Sequence, residues 1–371
     1  MSDQQATQAR IPTHFVGVRT TKIYCYPWCT APQPKAENVT HYATREEAER
    51  AGLRPCRACF PHLPEGSWQD HKTHVSLLVR EPFRFEEILH YLARSSEEVL
   101  HTIEGRTVHK LVVLQGLPVP IRVESPAPNR VEVYFEYASD RLPKKSLRVE
   151  AARFVWDWLD LGREVGPFYE LAEKDAMLRG LVRQYEGLRI VGEPVLFEAL
   201  CWAIIGQQVS LVLAYRMKRR FVETFGTSLT YNGRTYWKFP EADVIADLTP
   251  EQILPLKFTR KKAEYLIDVA KRVCSGELSK RKLLALNDLQ AVSKQLTAIR
   301  GIGDWTANYV AMRCLRYGNA FPLGDVALQN AVKRLKSMER KPTQEELREL
   351  AIGWKGWEAY ATFYLWRSLQ E

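Results

Sequence analysis

The chain has 371 residues, more than one hydrophobic core usually holds, so two or three domains are expected. No apolar run reaches the ~18 residues of a membrane span. The opening stretch MSDQQATQAR is polar and the seven cysteines are odd in number, so no export signal or disulfide framework is expected and a cytoplasmic location is. The net charge of +9 is concentrated in residues 211–340, which hold 23 Lys and Arg against 12 Asp and Glu, a pattern suited to a polyanion as well as to solvated helix faces. All eight histidines lie between His14 and His109, so acid–base chemistry in the later segments must use carboxylates and a His-ligated metal is excluded there.

Residues 1–68 form the first expected domain. Its paired cysteines, Cys25-x3-Cys29 and Cys56-x2-Cys59, suit a tetrahedral zinc site, and so short a block with few apolar runs gains much of its stability from such an ion. Val18-Arg19-Thr20-Thr21, Ile23-Tyr24-Cys25, Glu37-Asn38-Val39, a helix predicted from Thr44 to Ala51, and Arg54-Pro55-Cys56 together resemble the Ada-type metal-binding domain. The resemblance implies a zinc ion held by Cys25, Cys29, Cys56 and Cys59, with Cys25 the candidate acceptor of a methyl group from a DNA methylphosphotriester. Zinc keeps a thiol deprotonated and nucleophilic, as such a transfer requires. Where that family is rich in arginine this chain has Tyr26, Trp28, Thr30, Gln33 and Ala36, and Lys22 stands at its usual glycine. Zinc binding is therefore the expectation for this block, and methyl transfer or damage sensing through Cys25 the alternative. His62 to Thr73 reads as a polar linker.

Residues 74–150 change to short alternating strands: Val75–Val79, Arg106–Gln115, Pro120–Glu124 and Arg130–Tyr137, with a helix at Phe83–Arg94. An antiparallel sheet with a helix on one face is expected. Its histidines are scattered and no catalytic constellation is visible, so its role reads as structural.

Residues 151–371 turn helical, with apolar residues at three- and four-residue spacing, and an all-α body is expected. Ile205-Gly206-Gln207-Gln208-Val209-Ser210 interrupts one long helical pattern with a glycine and two amides. A tight turn at Gly301-Ile302-Gly303 then joins two helices, the second re-entered at Trp305-Thr306-Ala307. Two glycines leave this backbone bare, and a helix N-terminus suits a phosphate. Twenty positions after Trp305, Pro322-Leu323-Gly324-Asp325 precedes another helix, where Asp325 reads equally as an N-cap. Trp305, Tyr309 and Trp366 read as core aromatics or as a pocket lining. Cys201, Cys274 and Cys314 read as reduced core thiols.

The glycine turn and the aspartate that follows resemble the helix-hairpin-helix DNA glycosylases, and within them the AlkA-type 3-methyladenine DNA glycosylase II group, which also carries an α+β sheet domain before its helical body. The resemblance implies a phosphate clamp at Gly301, Gly303 and Thr306, with an alkali ion at the hairpin. It also implies a nucleotide-displacing wedge at Gln207 and Gln208, a base pocket lined by Trp305, Tyr309 and Trp366, and Asp325 as the catalytic carboxylate. The wedge position of that group holds an apolar residue in its best-known member, whereas this chain has Gln208. Trp305 stands where relatives with lyase activity carry a lysine, and the cysteines that hold an iron–sulfur cluster in some relatives are missing after Cys314. The expectation is a monomeric, monofunctional glycosylase without an iron–sulfur cluster, releasing alkylated purines such as 3-methyladenine and 7-methylguanine from duplex DNA during base excision repair.

Overall fold

The structure, a computed structural model, describes residues 15–25, 34–43, 45–55, 63, 66–136 and 143–370. Its N-terminal block is a small sheet in which Val39–Tyr42, Phe15–Val18 and Ile23–Cys25 pair antiparallel, and Arg54–Pro55 joins Ile23–Cys25 in parallel. Among the described residues the core beneath it is Phe15, Tyr24, Ala48 and Leu53, with Tyr42 packed against them.

A six-stranded antiparallel sheet follows, in the order Trp68–Asp70, His74–Leu78, Arg130–Phe135, Leu117–Ala127, Thr107–Leu114, His101–Glu104. Alternation does its work here: Val75 and Leu77, Val131 and Val133, and Val119, Ile121 and Val123 are all fully buried on one face. The helices Phe85–Leu92 and Lys145–Trp158 share that core. The stretch expected as a linker departs from expectation. Its Trp68–Asp70 segment is the edge strand, held by pairing with His74–Leu78 and by Arg148, which donates to both oxygens of Asp70 at 2.7 Å. Polarity suggested a linker because an edge strand exposes one side. The strand His101–Glu104 was also not anticipated, and the following helix starts at Lys145 rather than near residue 151.

The body is not all-α. Thr227–Tyr231 and Arg234–Lys238 form a hairpin closed by Asn232 and Gly233, both left-handed at φ 48° and 74°. Asn-Gly between alternating residues is the usual signal for such a two-residue turn, and it was present in the sequence.

The helices divide by packing rather than by chain order. Lys145–Trp158, Gly166–Ala172 and Leu178–Gln184 join the chain's last three helices, Val326–Leu335, Gln344–Ile352 and Glu358–Arg367, in one core with the sheet. Residues between Leu196 and Leu315 supply nearly all of a second core. The helix Asp304–Arg313 is shared: Ala311 and Met312 lie in the first core, while Ala307, Tyr309 and Val310 lie in the second. Among the described residues no helix is long and apolar enough to cross a membrane.

Phe168 buttresses the first lobe, fully buried with ring centroids 5.3 Å from Tyr360 and 5.2 Å from Tyr364 of the final helix. Phe168→Ala is expected to destabilise this lobe by about 3–5 kcal/mol, read from the urea midpoint of its unfolding.

Candidate active site

The glycine turn sits between the helices Leu289–Thr297 and Asp304–Arg313, anchored inward by buried Leu296, Ile299 and Ile302. Gly301 has φ +90°, and a Cβ there would lie 2.3 Å from the Tyr265 ring, so both backbone and space require glycine. Gly303 is exposed, and a Cβ on it would meet nothing within 4 Å. The first amides of the helix that follows have no carbonyl one turn back to bond.

The interrupted segment near Gly206 packs beside this turn. The helix Leu196–Gly206 ends there, and Lys262 Nζ donates to its terminal Ile205 carbonyl at 2.8 Å. Gln207 Nε2 donates to Gly301 O at 2.9 Å and to Thr306 Oγ1 at 3.1 Å. Gln208 is exposed and left-handed at φ 55°. Turn, amides and the start of the helix Arg260–Cys274 line a cleft of about 820 Å3.

Two expectations change. Gln207 is a tie between segments rather than a free wedge, which leaves Gln208 as the projecting amide. Thr306 is 1% exposed and its hydroxyl accepts from Gln207, so burial rather than lack of a donor keeps its side chain from a phosphate in the cleft. The basic clusters are also partly spent internally: Lys218 pairs with Glu98, Arg219 with Glu97 and Glu223, and Lys280 with Asp157. Exposed Arg260, Lys261 and Arg300 remain around the cleft, with Arg260 and Arg300 in salt bridges to Glu251 and Glu264.

Asp325 caps the helix Val326–Leu335, its Oδ1 accepting from Leu328 N at 2.7 Å. The same carboxylate accepts from two indoles, Trp366 Nε1 onto Oδ1 and Trp305 Nε1 onto Oδ2, both at 2.9 Å. Asp325 is therefore the helix cap, and its carboxylate also faces both indoles. It is 9% exposed. Trp305 stacks on Tyr309 with centroids 5.4 Å apart and planes at 28°, and Trp366 lies 6.1 Å from Tyr309 at 33°. Trp305, Tyr309 and Trp366 thus form one aromatic set beside the carboxylate. Burial pushes the Tyr309 hydroxyl well above its ordinary pKa, so it stays a neutral phenol.

Some supporting residues had gone unnoticed in the sequence. Asn308 accepts Phe321 N at 3.1 Å, fixing the loop that leads to Asp325. Trp202 Nε1 and Arg313 Nη1 both donate to the Tyr309 hydroxyl, at 2.8 and 2.9 Å. Arg313 had one visible signal, its place on the same helical face as Trp305 and Tyr309.

In the N-terminal block, Cys25 is buried, and the parallel register Ile23↔Arg54, Tyr24↔Pro55 runs the chain up to Pro55 alongside it. Cys29, Cys56 and Cys59 lie outside the described residues. Cys201 and Cys314 are buried, but Cys274 is exposed and not a core thiol.

The glycine turn yields a direct contrast. Gly301→Ala is expected to cost about 1–3 kcal/mol in thermal unfolding, through strain and the Tyr265 contact, whereas Gly303→Ala should fold normally.

Comparison with known proteins gives the family. The family "HhH-GPD superfamily base excision DNA repair protein" matches residues 201–357, and "Metal binding domain of Ada" matches residues 3–62. A Bacillus subtilis protein named DNA-3-methyladenine glycosylase is 41% identical over 304 residues, 82% of this chain and 99% of the relative. A Mycobacterium tuberculosis protein named probable bifunctional transcriptional activator/DNA repair enzyme AlkA is 29% identical over 80% of this chain and 57% of its own. Among solved structures, a 3-methyladenine DNA glycosylase from Archaeoglobus fulgidus superposes with a TM-score of 0.69 at 23% identity, covering 78% of this chain and 97% of that one, which shows a shared fold. The chain belongs to the DNA-3-methyladenine glycosylase family of the helix-hairpin-helix superfamily, joined to an Ada-type metal-binding domain.

Proposed function

We propose that this protein hydrolyses the N-glycosidic bond of alkylated purines, 3-methyladenine and 7-methylguanine, in duplex DNA, acting as a monomer and without lyase chemistry. The observation that carries the reading is the Asp325 carboxylate, fixed between two indole N–H groups at the edge of the Trp305, Tyr309 and Trp366 rings.

The hairpin amides beside Gly301 and Gly303 take a phosphate next to the damaged nucleotide. An alkali ion at the hairpin is part of the same reading; carbonyls of the turn such as Gly301 O, which accepts from Gln207, would hold it and it would add positive charge facing the phosphate. Gln208 enters the gap as the nucleotide leaves the stack, a step that costs least where alkylation has already weakened pairing. The extruded base is cationic and lies against electron-rich rings. It departs as a neutral molecule, so little acid catalysis is needed. The sugar carries the growing positive charge, and Asp325 stabilises it and orients the attacking water. At the position where lyase-active relatives carry a lysine amine, Trp305 instead donates an N–H to Asp325, which supports hydrolysis by water alone.

The Ada-type block supports zinc, which we assign to Cys25, Cys29, Cys56 and Cys59. The ion would hold its thiols deprotonated and tie the small core together.

Asp325→Asn tests the catalytic assignment. Asparagine can retain the helix cap through its carbonyl oxygen but sets an NH2 against one indole N–H, so a folding cost of about 1–3 kcal/mol is expected and base release is measured well below the variant's melting temperature. Release of free bases from methylated duplex DNA should fall by at least ~100-fold, with abasic-DNA affinity within a few-fold of wild type. Base release by Asp325→Asn at the wild-type rate would overturn the assignment. For the zinc block, elemental analysis of purified protein should find zinc, and Cys56→Ser should lose it while retaining base release.

A further inference from the structure

Arg313 is 1% exposed at the end of the helix that carries Trp305 and Tyr309. Its planar guanidinium is used on every side. Nε donates to Val191 O at 2.5 Å, Nη2 lies 3.5 Å from Glu193 Oε1, and Nη1 donates to the hydroxyls of Tyr309 and Tyr91. Burial opposes the charge, and the Tyr309 and Tyr91 hydroxyls with Glu193 more than offset it, so the group stays cationic. Tyr91 belongs to the helix Phe85–Leu92 of the sheet lobe, where its ring packs 4.8 Å from Phe363. Trp202 fills the other acceptor site of the Tyr309 hydroxyl. A phenol held by two donors at its oxygen has little freedom to tilt.

We propose that Arg313, anchored by Tyr91 of the sheet lobe, is a positioning residue that sets the Tyr309 ring in the base pocket and thereby tunes which alkylated purines are accepted. The inference rests on the proposed function, in which Tyr309 is a pocket wall. It gives the sheet lobe a part in selectivity that its scattered histidines and lack of catalytic groups did not suggest. A buried guanidinium is a costly brace, but its fork satisfies several acceptors in one plane, which an ammonium cannot. The methyl groups of 3-methyladenine and 7-methylguanine project from different edges of the purine, so a tilted ring affects the two bases unequally.

The experiment measures single-turnover release of both bases from methylated duplex DNA, abasic-DNA affinity and melting temperature, for wild type, Tyr91→Phe, Arg313→Lys and Arg313→Met. Tyr91→Phe removes one hydroxyl and keeps the ring. It is expected to slow release by roughly five-fold, with affinity and melting temperature near wild type. Arg313→Met should lose at least ~10-fold and change the ratio of the two bases, and Arg313→Lys should recover part of the rate. Wild-type rates and ratios in Tyr91→Phe and Arg313→Met would overturn this inference alone. So would losses equal for both bases that follow melting temperature. Failure of the wild-type protein to release either base would overturn the proposed function and this inference with it.

Discussion

Everything at the site depends on where the Asp325 carboxylate is held. A nearly buried carboxylate must find donors, and this one finds an indole from each lobe: Trp366 from the final helix and Trp305 from the shared helix. Its backbone belongs to the first lobe through the capped helix Val326–Leu335, whose Leu328, Ala331 and Val332 are core residues there. The carboxylate, its aromatic neighbours and the register between lobes are therefore one arrangement. Displacing one lobe would break an N–H···O hydrogen bond to Asp325.

The shared helix Asp304–Arg313 links this carboxylate to the rest of the molecule. Its N-terminal end is the exposed hairpin, its middle presents Trp305 and Tyr309, and its C-terminal end is the buried Arg313. Along one element the protein passes from a solvent-facing turn, through aromatic stacking, to an ion-paired interior. Gln207 ties the neighbouring segment to the same hairpin through Gly301 and Thr306, so the glycine turn and the projecting Gln208 are mechanically joined. Ligand sites commonly lie where two packed units meet, because a concave surface with convergent polar groups forms there without opening either core.

The glycine turn and the sheet were legible in the sequence because each has a local signature. A Gly-x-Gly between helical periods and an alternating block state their needs within a few residues. Misreadings came where context outweighs local pattern. Trp68–Asp70 looks like a linker because only pairing with a neighbour makes it a strand. The hairpin at Asn232-Gly233 carries its turn signal inside a block whose surrounding period is helical. The cationic clusters looked like a continuous polyanion footprint, yet Lys218 and Lys280 are paired with acidic partners more than 100 residues away.

The sequence by itself determined the modular order and the glycine turn, and it singled out the carboxylate and aromatic residues that the structure brings together, since backbone conformation and side-chain chemistry are set by residue type and near neighbours. Only the tertiary structure decided that the helical block is two lobes, that Gln207 is a tie, that Thr306 is buried, and that Arg313 and Tyr91 meet behind Tyr309. Those facts depend on which faces pack together across 94 to 222 residues of chain, a distance over which sequence periodicity carries no register.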